Sequence, residues 1–329
     1  MRSNGNPEAA GARAMAKPIW AADIEVDAAL AASVIEEQFP ELREMAVEPF
    51  GIGWDNAAFL VGGRIVFRFP RRRASANLVE REVAVLPLVA PHVPLAIPAP
   101  RHAGVPSTEY PWPFAGYDLI AGTSADAVEL SDDARCALAE PLGRFLRALH
   151  AVDAAPLVAR GLPPDEIGRL DHRKRLPMAV ERLAALAESA AWANAGVTAE
   201  PARFVAWLAA HPPAPLADDA RTLVHGDLYA RHVLLGANAR PSGVIDWGDV
   251  HLGDPALDLA IAHLVLPARA HAAFRTAYGG VDERTWTAAR YRAIYHAILE
   301  LDYGVRADDA GMRASGSTAL RLIEAELER

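Results

Sequence analysis

The sequence predicts an α+β chain of two unequal lobes: a small sheet with one packed helix, then a larger and mainly helical part. Three observations carry this expectation. Residues 57–69 read as two strands around a Gly62-Gly63 turn, the pattern of a β-hairpin. Beyond Gly122 the apolar residues recur mostly at helical spacing, interrupted by three short apolar runs. A length of 329 residues is enough to bury two cores.

Residues 1–18, rich in Gly, Ala, Asn and Arg, read as a disordered tail, which leaves lobes over 19–120 and 121–329. Val26, Leu30, Val34, Ile35 and Phe39 have helical spacing, with Asp23 as the expected cap. Ala57–Val61 and Arg64–Phe69 are strands, the second stopped by Pro70. Leu78, Val83, Leu86 and Val89 place a helix over 75–90. A Pro-rich connection follows, then one or two strands over 110–120, with Tyr117–Gly122 as a hinge. Ser131 caps a helix whose stripe of Leu138, Leu142, Phe145, Leu146 and Leu149 ends at His150, with a kink at Pro141. Further helices are expected near 177–190, 199–210, 256–267, 284–303 and 317–328. Leu223-Val224, Val233–Leu235 and Val244-Ile245 are the short apolar runs.

The composition, 52% hydrophobic and 23% charged, is that of an ordered globular protein. A net charge of −9 argues against nucleic acid as a partner and mildly favours a cationic small molecule. Cys136 is the only cysteine, so no intrachain disulfide forms. The first 18 residues lack an apolar core of a signal peptide, and the apolar stretch 256–274 is broken by Asp258, His263 and Arg269. A cytoplasmic monomer away from membranes is expected.

Two stretches carry candidate chemistry: HGDLYARH, His225 to His232, and IDWGD around Asp246. Phosphoryl transfer asks for a base at the acceptor hydroxyl, metal ions on the phosphates, and amides or cations around the charge. Asp227 is the candidate base, on a loop between short strands and five residues before His232. His232 and Asp246 are the candidate magnesium ligands. Gly51-Ile52-Gly53 offers backbone amides to the phosphates. Arg68, mid-strand, is placed to reach those phosphates. Glu82 is placed to pair with it, and is preferred to Glu80 because it stands four before Leu86 on the core side. Glu300 and Asp302, on a late helix, are candidates for a substrate ammonium, although residues two apart do not share a helix face.

Other readings of these residues remain open. His225, Asp227, His232 and Asp246 form a mixed N/O set that also suits a zinc hydrolase. A catalytically dead nucleotide-binding module is expected to have lost Asp227 or Asp246, and both are present. Asp249 reads as a loop carboxylate, Asp254 and Asp258 as caps, and residues 172–175 as a solvated basic face. Seven residues between Asp246 and Asp254 are too few for a segment that docks a peptide, so a protein kinase is disfavoured.

HGDLYARHVLL followed by SGVIDWGDVHLGDPALDLA resembles the aminoglycoside/macrolide phosphotransferase family, which has a protein-kinase-like two-lobed fold. The FRFPRR segment, the helix glutamate and the Leu-His ending at His150 match as well, so the likeness covers roughly residues 45–310. Within the family the nearest likeness is to macrolide 2′-phosphotransferases, which share the Tyr after HGDL, a His where most relatives have Asn, and the DPAxD ending. The GIGWDN loop looks more like aminoglycoside kinases. The resemblance implies that Asp227 is the base and that His232 and Asp246 hold Mg²⁺. It implies that Arg68 stands in for the family's strand lysine, with Glu82 as its partner, and that the backbone at Asp118 and Ile120 meets the nucleotide base. Asp302 falls where macrolide kinases also have Asp. Two departures stand out. Lys17 and Lys174 are the only lysines, so none serves the strand position. Magnesium also prefers oxygen ligands to an imidazole such as His232. The activity implied is transfer of the γ-phosphate of ATP or GTP to an antibiotic hydroxyl, the 2′-OH of a macrolide first. An aminoglycoside, or a metabolic amino alcohol or sugar, is the alternative acceptor.

Overall fold

A computed structural model describes residues 22–53, 55–215 and 221–327; the expected tail over 1–18 lies outside them. Five strands, β1 (Val47–Ile52), β2 (Asn56–Val61), β3 (Ile65–Pro70), β4 (Pro100–Gly104) and β5 (Phe114–Asp118), form an antiparallel sheet in the order β1-β2-β3-β5-β4. Helix α1 (Ala28–Gln38) and helix α2 (Arg73–Val89) accompany it.

Alternation along β3 explains the layering. Ile65, Phe67 and Phe69 pack with Val34 and Ile35 of α1 in one core, which sends Val66 and Arg68 to the opposite face. Val79 of α2 packs with Ala115 and Tyr117 on β5. The alternation thus aims Arg68 at α2.

Two expectations about this lobe are corrected. The cap of α1 is Asp27, whose Oδ1 accepts the Leu30 amide at 2.8 Å. Asp23 caps a different helix, accepting the Arg73 amide of α2 at 3.0 Å. The supposed Pro-rich connection contains β4, an edge strand that starts on Pro100, where a missing N–H is tolerated.

Beyond the hinge lie α3 (Asp132–Cys136), α4 (Ala139–His150), α5 (Ala155–Val158), α6 (His172–Glu188), α7 (Ala190–Asn194) and α8 (Pro201–Ala210). After them come α9 (Ala256–Leu259), α10 (Ile261–Val265), α11 (His271–Tyr278), α12 (Glu283–Arg306) and α13 (Ala310–Leu327). Short strands β6 (Thr123–Ser124), β8 (Val233–Leu235) and β9 (Pro241–Val244) pair in one ribbon; β7 (Thr222–Val224) pairs with β10 (His251–Gly253) in another. The expected kink at Pro141 is instead a break between α3 and α4, which leaves Pro141 in a first turn where it costs no hydrogen bond. The basic run at 172–175 is not wholly solvated. Arg175 is buried, its Nε and Nη2 donating to the carbonyls of Gly168 and Ile167.

The largest core joins these helices to Val85, Leu86 and Val89 of α2 and to Ile97. Ala96 adds a backbone stitch: its amide donates to the Ser242 carbonyl at 3.2 Å, and its carbonyl accepts the Val244 amide at 2.8 Å. Among the described residues no helix is long and apolar enough to cross a membrane.

At the far end, buried His263 and half-buried Arg290 hold the buried carboxylate of Glu326 at 2.8 and 3.0 Å, and His271 stands 3.6 Å away. These contacts tie α13 to α10, α11 and α12.

Candidate active site

Arg68 bridges the two lobes. Its Nη1 donates to both oxygens of Glu82 at 3.0 Å, and its Nη2 donates to Asp246 Oδ1 at 2.7 Å. Tyr117 donates its hydroxyl to Glu82 Oε2 at 2.9 Å. Glu82 is fully buried while Glu80 is exposed. Burial works against the ionised form of Glu82 and pushes its pKa up, with Arg68 pulling it back. Burial would lower the Arg68 pKa, but Glu82 and Asp246 outweigh it, so the guanidinium stays charged. The Asp246 side chain is about half exposed to the cleft, and Arg68 and His232 outweigh its desolvation to hold the carboxyl well below the usual range. Its backbone has φ 64°, a left-handed conformation that a non-glycine residue adopts at some cost. That turn aims the carboxylate into the cleft.

The HGD loop is held from below by Asp258. This buried carboxylate accepts the amides of His225 at 2.8 Å and Gly226 at 2.9 Å, and His150 Nε2 stands 3.1 Å from it. Its expected capping role is therefore directed at the HGD loop. Gly226 has φ +84°, and an added Cβ would lie 2.5 Å from the Asp249 carbonyl oxygen, so only glycine fits. His225 uses both ring nitrogens on the backbone: Nε2 donates to the Ile245 carbonyl at 3.0 Å, and Nδ1 accepts the Asp227 amide at 3.3 Å. That leaves it no lone pair for a metal, which removes one ligand from the zinc-hydrolase alternative. Burial lowers its pKa and keeps it neutral.

Asp227 and His232 are locked to each other. His232 Nδ1 donates to the Asp227 carbonyl at 2.8 Å, which orients the ring and turns Nε2 toward Asp246 Oδ2, 3.4 Å away. An imidazole nitrogen and a carboxylate oxygen thus converge as a divalent cation would require. Burial would raise the pKa of Asp227, but His296, His232 and Arg292 overcome it and hold the side chain ionised.

The nucleotide-facing residues are placed less uniformly. Gly51, paired with Ala58 near the end of β1, has open space where a Cβ would stand, whereas the Gly53 amide is already bonded to the Asn56 carbonyl at 2.9 Å. The backbone thus offers fewer free donors than the glycine spacing suggests. Phe50 and Ile52, 53% and 74% exposed, leave two apolar side chains uncovered on either side of Gly51, which sequence reasoning missed. Asp118 turns its side chain out to Arg101 at 2.8 Å, and the neighbouring Leu119 amide bonds to the Arg64 carbonyl. Ile120 lies over Gly243, whose ideal Cβ would be 2.7 Å from its Cγ2.

The two candidate ammonium acceptors are both already engaged. Asp302 sits between Arg182 at 3.3 Å and Arg306 at 2.8 Å. Glu300 is buried with Oε1 3.2 Å from His296 Nε2. Sequence reasoning missed Arg292 and His296, which flank Asp227, and Arg169, which pairs with Asp249. The spacing Arg292, His296, Glu300 was a legible signal for the first two.

The profile described as the phosphotransferase enzyme family matches residues 46–293. A curated relative, the uncharacterised protein YcbJ of Bacillus subtilis strain 168, is 31% identical over 65 residues, 20% of this chain and 21% of its own length. The chain thus matches about a fifth of that relative. Among solved structures, the GDP and kanamycin complex of APH(2″)-IIIa is 25% identical, covering 90% of this chain and 98% of the other, with a TM-score of 0.63. Macrolide 2′-phosphotransferase MphH from Brachybacterium faecium, as apoenzyme, is 27% identical over 84% and 91%, with a TM-score of 0.53. Wild-type aminoglycoside 2′-phosphotransferase-IIIa with GDP is 24% identical over 92% and 99%, with a TM-score of 0.67, and shares the fold. With three-quarters of its length matched and both lobes aligned, the chain belongs to the phosphotransferase enzyme family.

Proposed function

We propose that this protein transfers the γ-phosphate of ATP or GTP to a hydroxyl of a small molecule, an antibiotic of the macrolide type being the first acceptor to test. The observation that carries this reading is the convergence of Arg68, Glu82 and Asp246 across the lobes beside an ionised Asp227. Asp227 accepts the proton of the acceptor hydroxyl as the new O–P bond forms and the bond to the nucleoside diphosphate breaks. Arg68 and backbone around Gly51 offset charge on the phosphates. A Mg²⁺ ion held by His232 and Asp246 would neutralise the phosphate oxygens. Phe50 and Ile52 close over the nucleotide and exclude water, and the backbone from Asp118 to Ile120 faces its base.

The macrolide reading draws on HGDLY, His232 and the likeness to MphH. An aminoglycoside acceptor is the second reading, favoured by the match to the kanamycin complex over 90% of the chain. A coupled nucleotide-turnover assay against macrolides, aminoglycosides and amino alcohols, with ATP and GTP compared, separates them. Acceleration by a macrolide alone supports the first reading. If no compound accelerates turnover, the antibiotic assignment is abandoned for a metabolic acceptor.

A further inference from the structure

The carboxylate of Asp227 rests on a stripe of α12 that the scheme above leaves unused. Arg292, His296 and Glu300 stand four residues apart, so their side chains share one face. All three are buried. Arg292 Nη2 lies 3.3 Å from Asp227 Oδ1, and His296 Nδ1 lies 3.8 Å from the same oxygen. On its other side His296 meets Glu300 Oε1 at 3.2 Å, and the Tyr229 ring packs against it with centroids 4.7 Å apart. Both approaches from α12 fall on Oδ1. Among the described residues no hydrogen bond or ion pair engages Oδ2.

The asymmetry has a chemical meaning. A carboxylate rotates broadly about its terminal torsion, so a base that must present one lone pair to a hydroxyl has to be pinned elsewhere. The Arg292 hydrogen bond fixes Oδ1, with the His296 ring beside it, and leaves Oδ2 free for the proton. Glu300, 1% exposed and with one oxygen committed to His296, is poorly placed to meet a solvated substrate. Taking Asp227 as the base, as the preceding section does, we propose that Arg292 and His296 are positioning residues for its carboxylate. Glu300 acts through His296, holding that ring in place, and does not bind the acceptor.

The test compares His296→Gln, Glu300→Gln, their double variant and Asp227→Asn with the wild type. MgATP and MgGTP turnover is read with water as acceptor and with the panel compounds, alongside nucleotide affinity as a check of folding. Misplacing a reacting group by about 1 Å costs roughly 10²-fold in rate, so each single variant should lose kcat on that scale. Its KM values should stay within about twofold, because binding contacts are untouched. The double variant should match His296→Gln alone, since Glu300 has no effect except through that ring. The proposal is overturned if Glu300→Gln raises the KM of an amine acceptor while turnover with water stays at the wild-type rate. It is also overturned if the two losses multiply. Should His296→Gln fail to fold, the isosteric Glu300→Gln decides by its kcat and KM. An inactive Asp227→Asn beside unaffected α12 variants sinks this inference alone, whereas an active Asp227→Asn sinks the base assignment and this inference with it.

Discussion

Arg68→Lys keeps the charge at the lobe junction and removes the fork, so it isolates what the arginine geometry supplies. Arg68 makes three charge-assisted hydrogen bonds, two to Glu82 at 3.0 Å and one to Asp246 at 2.7 Å. Such bonds contribute about 1.5–3 kcal/mol each. Glu82 and Asp246 meet different nitrogens of the planar group, and a single ammonium on a lysine stem reaches one carboxylate well and the other poorly. Losing one of the three therefore costs about 2 kcal/mol, which corresponds to roughly 30-fold in an equilibrium. Asp246 is the partner that lets go, because Glu82 is fully buried and cannot be left uncompensated. The loss should appear as a roughly 30-fold fall in kcat/KM for the nucleotide, with a small change in melting temperature. Steady-state kinetics with MgATP and MgGTP, beside a thermal melt, measures both. A lysine variant equal to the wild type would refute the argument, since it would show that charge at this position suffices. Arg68→Ala gives the contrast: an uncompensated Glu82 should cost about 3–5 kcal/mol of stability.

Other perturbations have defined outcomes. Gly226→Ala forces a Cβ to 2.5 Å from the Asp249 carbonyl at φ +84°, so a loss of more than about 2 kcal/mol in denaturant melts is expected. A variant as stable as the parent contradicts this loop geometry. Asp258→Ala strips the acceptor from two buried amides, and kcat should fall while nucleotide affinity stays, as read by titration calorimetry. Acid should loosen the α13 end. Burial and His263 lower the His271 pKa to about 4 from 6.5, so the folded state resists a proton that the unfolded chain accepts. Stability is full above pH 6.5 and falls by up to about 3 kcal/mol as pH drops toward 4. The Glu326 pKa, lowered overall by His263 and His271 against its burial, adds a loss of the same sign at lower pH. A His271→Gln protein whose melting temperature keeps the full slope between pH 6.5 and 4 would assign the acid sensitivity elsewhere.

Local chemistry made part of this molecule readable. The Gly62-Gly63 turn flanked by alternating residues specifies the β2–β3 hairpin, and that alternation already turns Arg68 away from the phenylalanine face. Glu82 stood on the core side of α2 by its spacing to Leu86, and it is there. Strand β4 was unreadable because Pro-Arg-His-Ala-Gly carries no pattern of its own; it becomes a strand only by pairing with β5. Asp23 was the expected cap of α1, and only the packing of the chain against α2 shows that it serves α2 while Asp27 caps α1. The spacing of Arg292, His296 and Glu300 put them on one helix face, but only the fold shows that this face meets Asp227, 65 residues from Arg292. The exposure of Phe50 and Ile52 was hidden differently: a sequence does not show which apolar side chains the fold leaves uncovered.

The stitch at Ala96, together with Val85, Leu86 and Val89, has a consequence for how the protein comes apart. The Val85, Leu86 and Val89 side chains belong to the first hundred residues in sequence, yet they are buried in the core of the helical half. A cut near residue 120 would strand them in water and strip β9 of a neighbour, so neither fragment inherits a complete interior. The two halves should therefore melt as one cooperative unit in calorimetry, and a split at the hinge should yield insoluble pieces that recover only when coexpressed.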